Sequence, residues 1–129
     1  MTTFVNASRR EAKEIVVPAG LDLTLPVVGW RDRKVPLRGC LLLPGEAGLV
    51  LRATERPMQR RIGAMCDLCR TPRTGDEVQL FVARRRRSDT DGVGYYACAD
   101  LDCGQQVADD QVEGLVRRVR SWVAAVQTS

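Results

Sequence analysis

The sequence predicts an α+β fold: small antiparallel β-hairpins, a finger built on four cysteines, and a C-terminal amphipathic helix. Three observations carry this expectation. Four of the five cysteines fall into two close pairs, Cys66/Cys69 and Cys98/Cys103, with twenty-eight residues between the pairs. Short apolar runs at Leu37 to Leu43, Leu49 to Thr54, Val78 to Arg84 and Val93 to Cys98 are joined two by two through glycine-containing links, as in hairpins. Finally, Val112, Leu115, Val116, Val119, Trp122, Val123 and Val126 recur at spacings of three and four, which is one face of a helix.

At 129 residues the chain is sized for one domain. Its hydrophobic share of 44% against 5% aromatic implies an aliphatic core. The net charge is +4, and Lys13 and Lys34 are the only lysines, so the positive charge is almost all guanidinium. Guanidinium suits bidentate recognition of carboxylate and phosphate. The opening Met1-Thr2-Thr3-Phe4-Val5 lacks the basic start and apolar run of a signal peptide. No apolar run approaches the length of a membrane span. The expectation is a cytoplasmic protein in a reducing environment.

Taken in order, Ser8-Arg9-Arg10-Glu11 has the form of a capping box and predicts a short helix to about Val16, stopped by Pro18-Ala19-Gly20. Leu21 to Val28, broken by Pro26, reads as an irregular extended connector. Gly29-Trp30-Arg31-Asp32 reads as a turn, with Trp30 anchoring the connector onto the core. The first hairpin follows, with Pro44-Gly45-Glu46-Ala47-Gly48 as its loop. Alternation puts Leu37, Leu41 and Leu43 on one face of its first strand and Arg38, Cys40 and Leu42 on the other. Cys40, outside both pairs, reads as a buried spare thiol. A basic, Pro-broken loop from Arg52 to Arg61 leads to the first cysteine pair. In the second hairpin, Arg84 to Arg87 lead into a loop closed by Asp91-Gly92. After it Asp100 is placed to cap a short helix whose first turn presents Cys103. Asp110 and Glu113 offer a cap for the last helix, whose Glu113, Arg117, Arg118 and Arg120 fall away from the apolar stripe.

Two close cysteine pairs with a domain-sized gap are how a chain gathers four thiolates around one zinc ion, because each pair delivers two sulfurs from one local turn. The alternatives are ordinary buried thiols or a redox-active disulfide at C-x2-C. The latter belongs at a strand-to-helix junction in a βαβ pattern, and none precedes Cys66. The chain has no histidine. Four thiolates would fill the coordination shell, so the expected zinc is structural and not catalytic. The order of parts, C-x2-C knuckle, hairpin, then ligands at the hairpin's end and a helix's start, is that of a treble-clef finger. A zinc ribbon would carry both pairs in hairpin turns.

These residues resemble a known family, the elongation factor G-binding proteins of the fusidic-acid resistance (FusB) type, also described as FBP domains. The matching stretches are Phe4-Val5-Asn6-Ala7-Ser8 with Glu11-Ala12-Lys13, then Gly29-Trp30-Arg31-Asp32, Met65-Cys66-Asp67-Leu68-Cys69, Val78 to Arg84, and Gly94 to Cys103. They occur in family order and cover most of the chain to Cys103. The resemblance implies one FBP-type domain over residues 1–129. Within it, 1–62 would hold the N-terminal helix and hairpin, 63–108 the treble clef, and 109–127 the last helix. It implies zinc on Cys66, Cys69, Cys98 and Cys103, and a protein that docks on elongation factor G and helps free it from the ribosome when fusidic acid stalls it there. Two departures stand out. Full-length resistance proteins carry an N-terminal helical domain for which this length leaves no room. An acidic, uncharged-polar link, Gly104 to Asp110, also replaces the basic segment of those relatives.

Three functions are compatible with these residues to different degrees. The first is a non-enzymatic adaptor for elongation factor G, with Phe81, Arg84, Arg85, Arg86, Arg87 and Tyr96 as the candidate contact residues. They would sit on a zinc-braced two-strand platform, where aromatic and arginine side chains suit an interface. The second is a ribosome- or RNA-binding zinc module, supported by the basic balance, the arginine run and Tyr95-Tyr96. The third, an enzyme, has no histidine, no nucleophile beside a base and no Gly-rich phosphate loop to support it.

Overall fold

A computed structural model describes residues 3–54, 64–73, 77–85 and 91–127. The elements are helix α1 (Arg9–Glu14), strands β1 (Val28–Arg31), β2 (Arg38–Leu43) and β3 (Ala47–Ala53), the short pair β4 (Ala64–Met65) and β5 (Pro72–Arg73), then β6 (Val78–Arg84), β7 (Gly92–Cys98), α2 (Cys103–Gln106) and α3 (Val112–Gln127).

Both expected hairpins form, and they merge into one antiparallel sheet in the order β1-β2-β3-β6-β7. Among the described residues the join is short: β3 and β6 pair at Arg52↔Val82 and Ala53↔Phe81, and Thr54 N–H donates to the Leu80 carbonyl at 3.0 Å. Two residues further in that register Val50 would face Arg84, and there the side chain of Asn6 enters between the strands. Its Nδ2 donates to the Val50 carbonyl at 2.8 Å and the Arg84 carbonyl at 3.1 Å, and its Oδ1 accepts the Val50 N–H at 2.8 Å. The N-terminal strap that carries Asn6 is itself held on β3, where Val5 N–H donates to the Gly48 carbonyl and Gly48 N–H to the Thr3 carbonyl. The ladder is thus prolonged through a side-chain amide.

The alternation read in the first hairpin holds. Leu41, Leu43, Leu49 and Leu51 face inward with Phe81, against Leu115, Val119, Trp122, Val123 and Val126 of α3 and against the four paired cysteines. On the opposite face Val28, Trp30, Cys40 and Leu42 form a second cluster, covered by Phe4, Ile15, Leu21 and Leu25. Trp30 anchors the connector as expected. Cys40 is fully buried, and loss of water pushes its thiol up to about 12. Arg38, buried on this same face, is matched by Asp32 at 2.6 Å and by Glu11 and Glu14 of α1 at 3.6 Å each, which docks α1 on the sheet. The other half of this face, on β6 and β7, carries Val82, Arg84 and Tyr96 exposed and Leu80 half-buried, with exposed Arg52 of β3 paired to Val82.

Local chemistry explains where elements begin and end, and where the sequence reading needs correction. Ser8 Oγ accepts the Glu11 N–H at 3.1 Å, so the N-cap forms. Helix α1 stops at Glu14, short of Val16. The β-branched run Ile15-Val16-Val17 resists the helix, and Pro18 bars helical backbone at the residue before it. Gly29 to Arg31 are strand, not turn, because the sheet needs an edge against β2 and Trp30 fills the second cluster. The β2–β3 turn pairs Pro44 with Gly45 at φ +79°, and Glu46 N–H donates to the Leu43 carbonyl at 2.8 Å, the signature of a type II turn. Neither Asp100 nor Asp110 caps a helix. Asp102 holds the N-cap position of α2 without a capping bond from its side chain, and a 3-10 turn, Asp109–Gln111, runs directly into α3. Helix α3 buries the stripe expected of it, and Tyr95 of β7 stacks on Trp122 with ring centroids 3.9 Å apart and planes at 15°.

Candidate metal centre

The first cysteine pair lies in the turn between β4 and β5, whose two pairs are Ala64↔Arg73 and Met65↔Pro72. The turn closes tightly: Arg70 N–H donates to the Cys66 carbonyl at 2.9 Å, and Arg70 adopts a left-handed φ of 57°. Folded this way, the knuckle aims backbone N–H groups at sulfur. Cys66 Sγ accepts from Leu68 N–H at 3.3 Å, from Cys69 N–H at 3.5 Å and from Cys98 N–H at 3.3 Å. The second pair spans the end of β7 and the start of α2. Leu101 between them is also left-handed, at φ 55°, and its N–H donates to the Cys98 carbonyl at 2.9 Å.

All four paired cysteines are buried, none is in a disulfide, and their sulfurs lie within 4.8 Å of one another. Cys66 Sγ stands 3.5 Å from Cys103 Sγ, and Cys69 Sγ 3.7 Å from Cys98 Sγ. Disulfide sulfurs would be about 2.05 Å apart. Four sulfurs each about 2.3 Å from a central tetrahedral zinc stand roughly 3.8 Å from one another, so the cluster fits that ion. Its protonation behaviour fits as well. Hydrogen bonds from Cys103 and Cys98 drive the Cys66 thiol far below the usual range, and the same contacts drive Cys103 far above it. At Cys98 the Cys103 hydrogen bond pulls down, while Cys66 and burial push up, for a net rise to about 12. Four adjacent thiolates repel one another, and a dication between them relieves that repulsion. Cys66, Cys69, Cys98 and Cys103 therefore form the site for one structural zinc ion. Cys40 lies in the other cluster, outside it.

The sheet is shaped to receive the ligand loops. A Cβ at Gly29 would collide with the Leu101 carbonyl, and one at Gly39 with the Leu101 side chain, so glycine on β1 and β2 clears the place where the Cys98–Cys103 loop seats. Gln105 brackets the edge of β1, its Nε2 donating to the Gly29 carbonyl at 2.8 Å and its Oε1 accepting the Gly29 N–H at 3.4 Å. Arg31 reaches the same loop, donating through Nη1 to the Ala99 carbonyl at 2.8 Å and to Gln79 Oε1 at 3.0 Å, with its guanidinium 5.3 Å from the Phe81 ring centroid. On the knuckle side, Asp67 N–H donates to the Tyr96 carbonyl at 2.8 Å and Asp67 Oδ2 accepts the Tyr96 N–H at 2.9 Å, so the knuckle is laced to the outer edge of β7. Arg118 Nε donates to the Leu68 carbonyl at 2.6 Å.

The sequence reading identified the ligands and missed their supports. Read from the sequence, Arg31 falls in a turn and Arg118 on the solvent side of α3. A signal for Arg118 was present, because it lies three residues after Leu115 and four before Trp122, on the flank of the buried stripe. No pattern in the sequence pointed to Asn6 as a bridge.

The candidate contact residues separate. Phe81 is fully buried between Arg31 and the main core and cannot present its ring to a partner. Of the alternating pair Leu80 and Phe81, Leu80 is the one turned outward. Arg85 is half-buried and engaged at home, pairing with Asp91 at 3.0 Å and donating to the Ala125 carbonyl at 2.8 Å, which ties the hairpin to the end of α3. Tyr96 and Arg84 are exposed on the open half of the outer face. Arg86 and Arg87 lie outside the described residues.

Residues 1–127 match the family described as FBP C-terminal treble-clef zinc-finger. No curated protein matches the chain. No solved structure matches it either.

Proposed function

Because the chain belongs to the FBP C-terminal treble-clef zinc-finger family, we propose that it is a non-enzymatic adaptor that binds elongation factor G and promotes its release from the ribosome. The family membership is the observation that carries this reading. The docking surface we assign is the open half of the outer sheet face: Tyr96 and Val82, 41% and 37% exposed, with Leu80, flanked by Arg52 and Arg84. Tyrosine and arginine are the residues in which interface energy concentrates. The zinc centre lies behind this face and lends rigidity, which limits the entropy lost on docking.

A second reading, binding to ribosomal RNA, draws on the same exposed arginines and tyrosine. The two separate by experiment. Titration of purified elongation factor G with the zinc-loaded protein is expected to show binding at micromolar concentration or tighter that nuclease does not affect. Tyr96→Ala is expected to weaken it by about 2 kcal/mol or more, the scale of an interface centre. Binding that survives Tyr96→Ala and Arg84→Ala unchanged would keep the partner and discard the surface. No binding, together with nuclease-sensitive retention on ribosomes and a steep loss with salt, would establish the RNA reading instead.

A further inference from the structure

Arg118 poses a problem of charge. Its Nη2 is buried and has no hydrogen-bond partner, and among the described residues no carboxylate forms an ion pair with it. Arg118 as a whole is half-buried, and a cation partly withdrawn from water without a counter-charge is destabilised, so an uncompensated guanidinium at such a place calls for an anion. The one hydrogen bond it does make points to where that anion is. The Leu68 carbonyl that accepts from Arg118 Nε belongs to the same peptide unit as the Cys69 N–H, which donates to Cys66 Sγ at 3.5 Å. Guanidinium, peptide and sulfur are linked in a row. A cation on the carbonyl polarises the peptide and makes its N–H a stronger donor to sulfur. Four thiolates around one zinc ion carry a net charge of −2, which supplies the counter-charge Arg118 otherwise lacks.

We propose that Arg118 is a positioning residue of the zinc centre: from α3 it clamps the Cys66–Cys69 knuckle through the Leu68 carbonyl and offsets the negative charge of the metal–thiolate cluster. Zinc retention and the seating of α3 are then coupled, since loss of the metal removes the anion that justifies burying the guanidinium. The surroundings agree with this assignment. Burial, Arg70 and Arg117 all disfavour the Arg118 cation, and Cys69 and Cys66 are the groups that favour it. Gly114, one turn earlier, leaves the space the guanidinium uses, and a Cβ there would stand 3.1 Å from Nη1.

The test is zinc competition against a chromophoric chelator, with Arg118→Gln removing the charge and Arg118→Lys keeping it. Arg117→Gln, on the exposed side of α3, is the control. The helical circular dichroism of each zinc-loaded variant is recorded in parallel. Removing an outer partner of a ligand set weakens metal binding about 10–100-fold, and that loss is expected for Arg118→Gln, with Arg118→Lys staying within about threefold of wild type. An Arg118→Gln affinity within threefold of wild type would overturn the proposal, as would a Lys variant as weak as the Gln variant. If Arg118→Gln fails to fold even with zinc, Gly114→Ala carries the test. It favours the helix and only crowds the guanidinium, so faster zinc release is expected with helicity intact, and release at the wild-type rate overturns the assignment.

Discussion

Asn6 offers a sharp test of how the sheet is joined. Its side chain makes three hydrogen bonds at the point where β3 and β6 part, two to Val50 and one to the Arg84 carbonyl. Asn6 is 7% exposed and Val50 9%, so the Val50 groups depend on this amide, while the open cavity lined by Asn6, Val50 and Arg84 gives water a partial route to them and keeps each cost at the lower end of its range. Asn6→Ala strands the Val50 N–H and C=O at about 1–2 kcal/mol each, so a loss of about 2–4 kcal/mol is expected. That is a large share of the roughly 5–15 kcal/mol that holds a domain folded. Asn6→Asp sharpens the test. One new oxygen still accepts from Val50 N–H, but the other meets two carbonyls. The folded-state pKa of this carboxyl must therefore lie above its unfolded value of about 3.9, and between those two values stability falls with rising pH by about 1.4 kcal/mol per unit. The assay is urea denaturation of zinc-loaded protein at about pH 7.5 and about pH 5.5, with variants compared with wild type at each pH. Asn6→Asp should recover stability at the lower pH and Asn6→Ala should not. A cost below about 1 kcal/mol for Asn6→Ala would refute the bridge. A pH response shared by both variants would refute the orientation assigned to the amide.

Three further outcomes are expected. Protein purified without added metal should contain one zinc per chain by elemental analysis, and Cys66→Ser or Cys98→Ser should lose it together with about 10 kcal/mol of apparent binding energy that doubles as folding energy. Cys40→Ala should keep the zinc, and because the Cys40 thiol is pushed up to about 12, it should resist maleimide at neutral pH until the chain unfolds. Trp122→Ala should cost about 3–5 kcal/mol by loss of a buried aromatic, with the Tyr95 stack adding to the loss, read from the same urea curves. A near-wild-type midpoint would show that the α3 stripe does not support the core.

The ligand set, the two hairpins and the last helix were legible because each rests on local spacing: two to four residues between cysteines, alternation along a strand, three and four along a helix. What was not legible depends on contacts across long separations. Gly29-Trp30-Arg31-Asp32 looks like a turn when read alone. It is a strand because Leu101, more than seventy positions later, needs the clearing at Gly29, and because Arg31 reaches the Ala99 carbonyl. The joining of β3 to β6 is similarly nonlocal. Phe81 shows the cost of reading one hairpin by itself: with β3 and Arg31 alongside, the ring is interior, and the outward position passes to Leu80. Arg118 is illegible for another reason: helical periodicity sets it on the flank of the stripe, and its partner, the Leu68 carbonyl, lies fifty residues away in sequence.

The place of the ligand loop on β1 and β2 bears on how the protein is made. During synthesis the first three strands leave the ribosome with a hollow at Gly29 and Gly39 and nothing to fill it, because Leu101 and the last two ligands are still unborn. Leu41, Leu43, Leu49 and Leu51 wait longer, until α3 emerges to cover them. At about 5–20 residues per second, that leaves apolar strands uncovered for several seconds in each round of translation. The sheet is thus most exposed to aggregation just before the sixteen-residue α3 appears. A premature stop before Leu115 would release a product that has the strands and all four ligand cysteines but lacks Leu115, Val119, Trp122, Val123 and Val126, which close the interior.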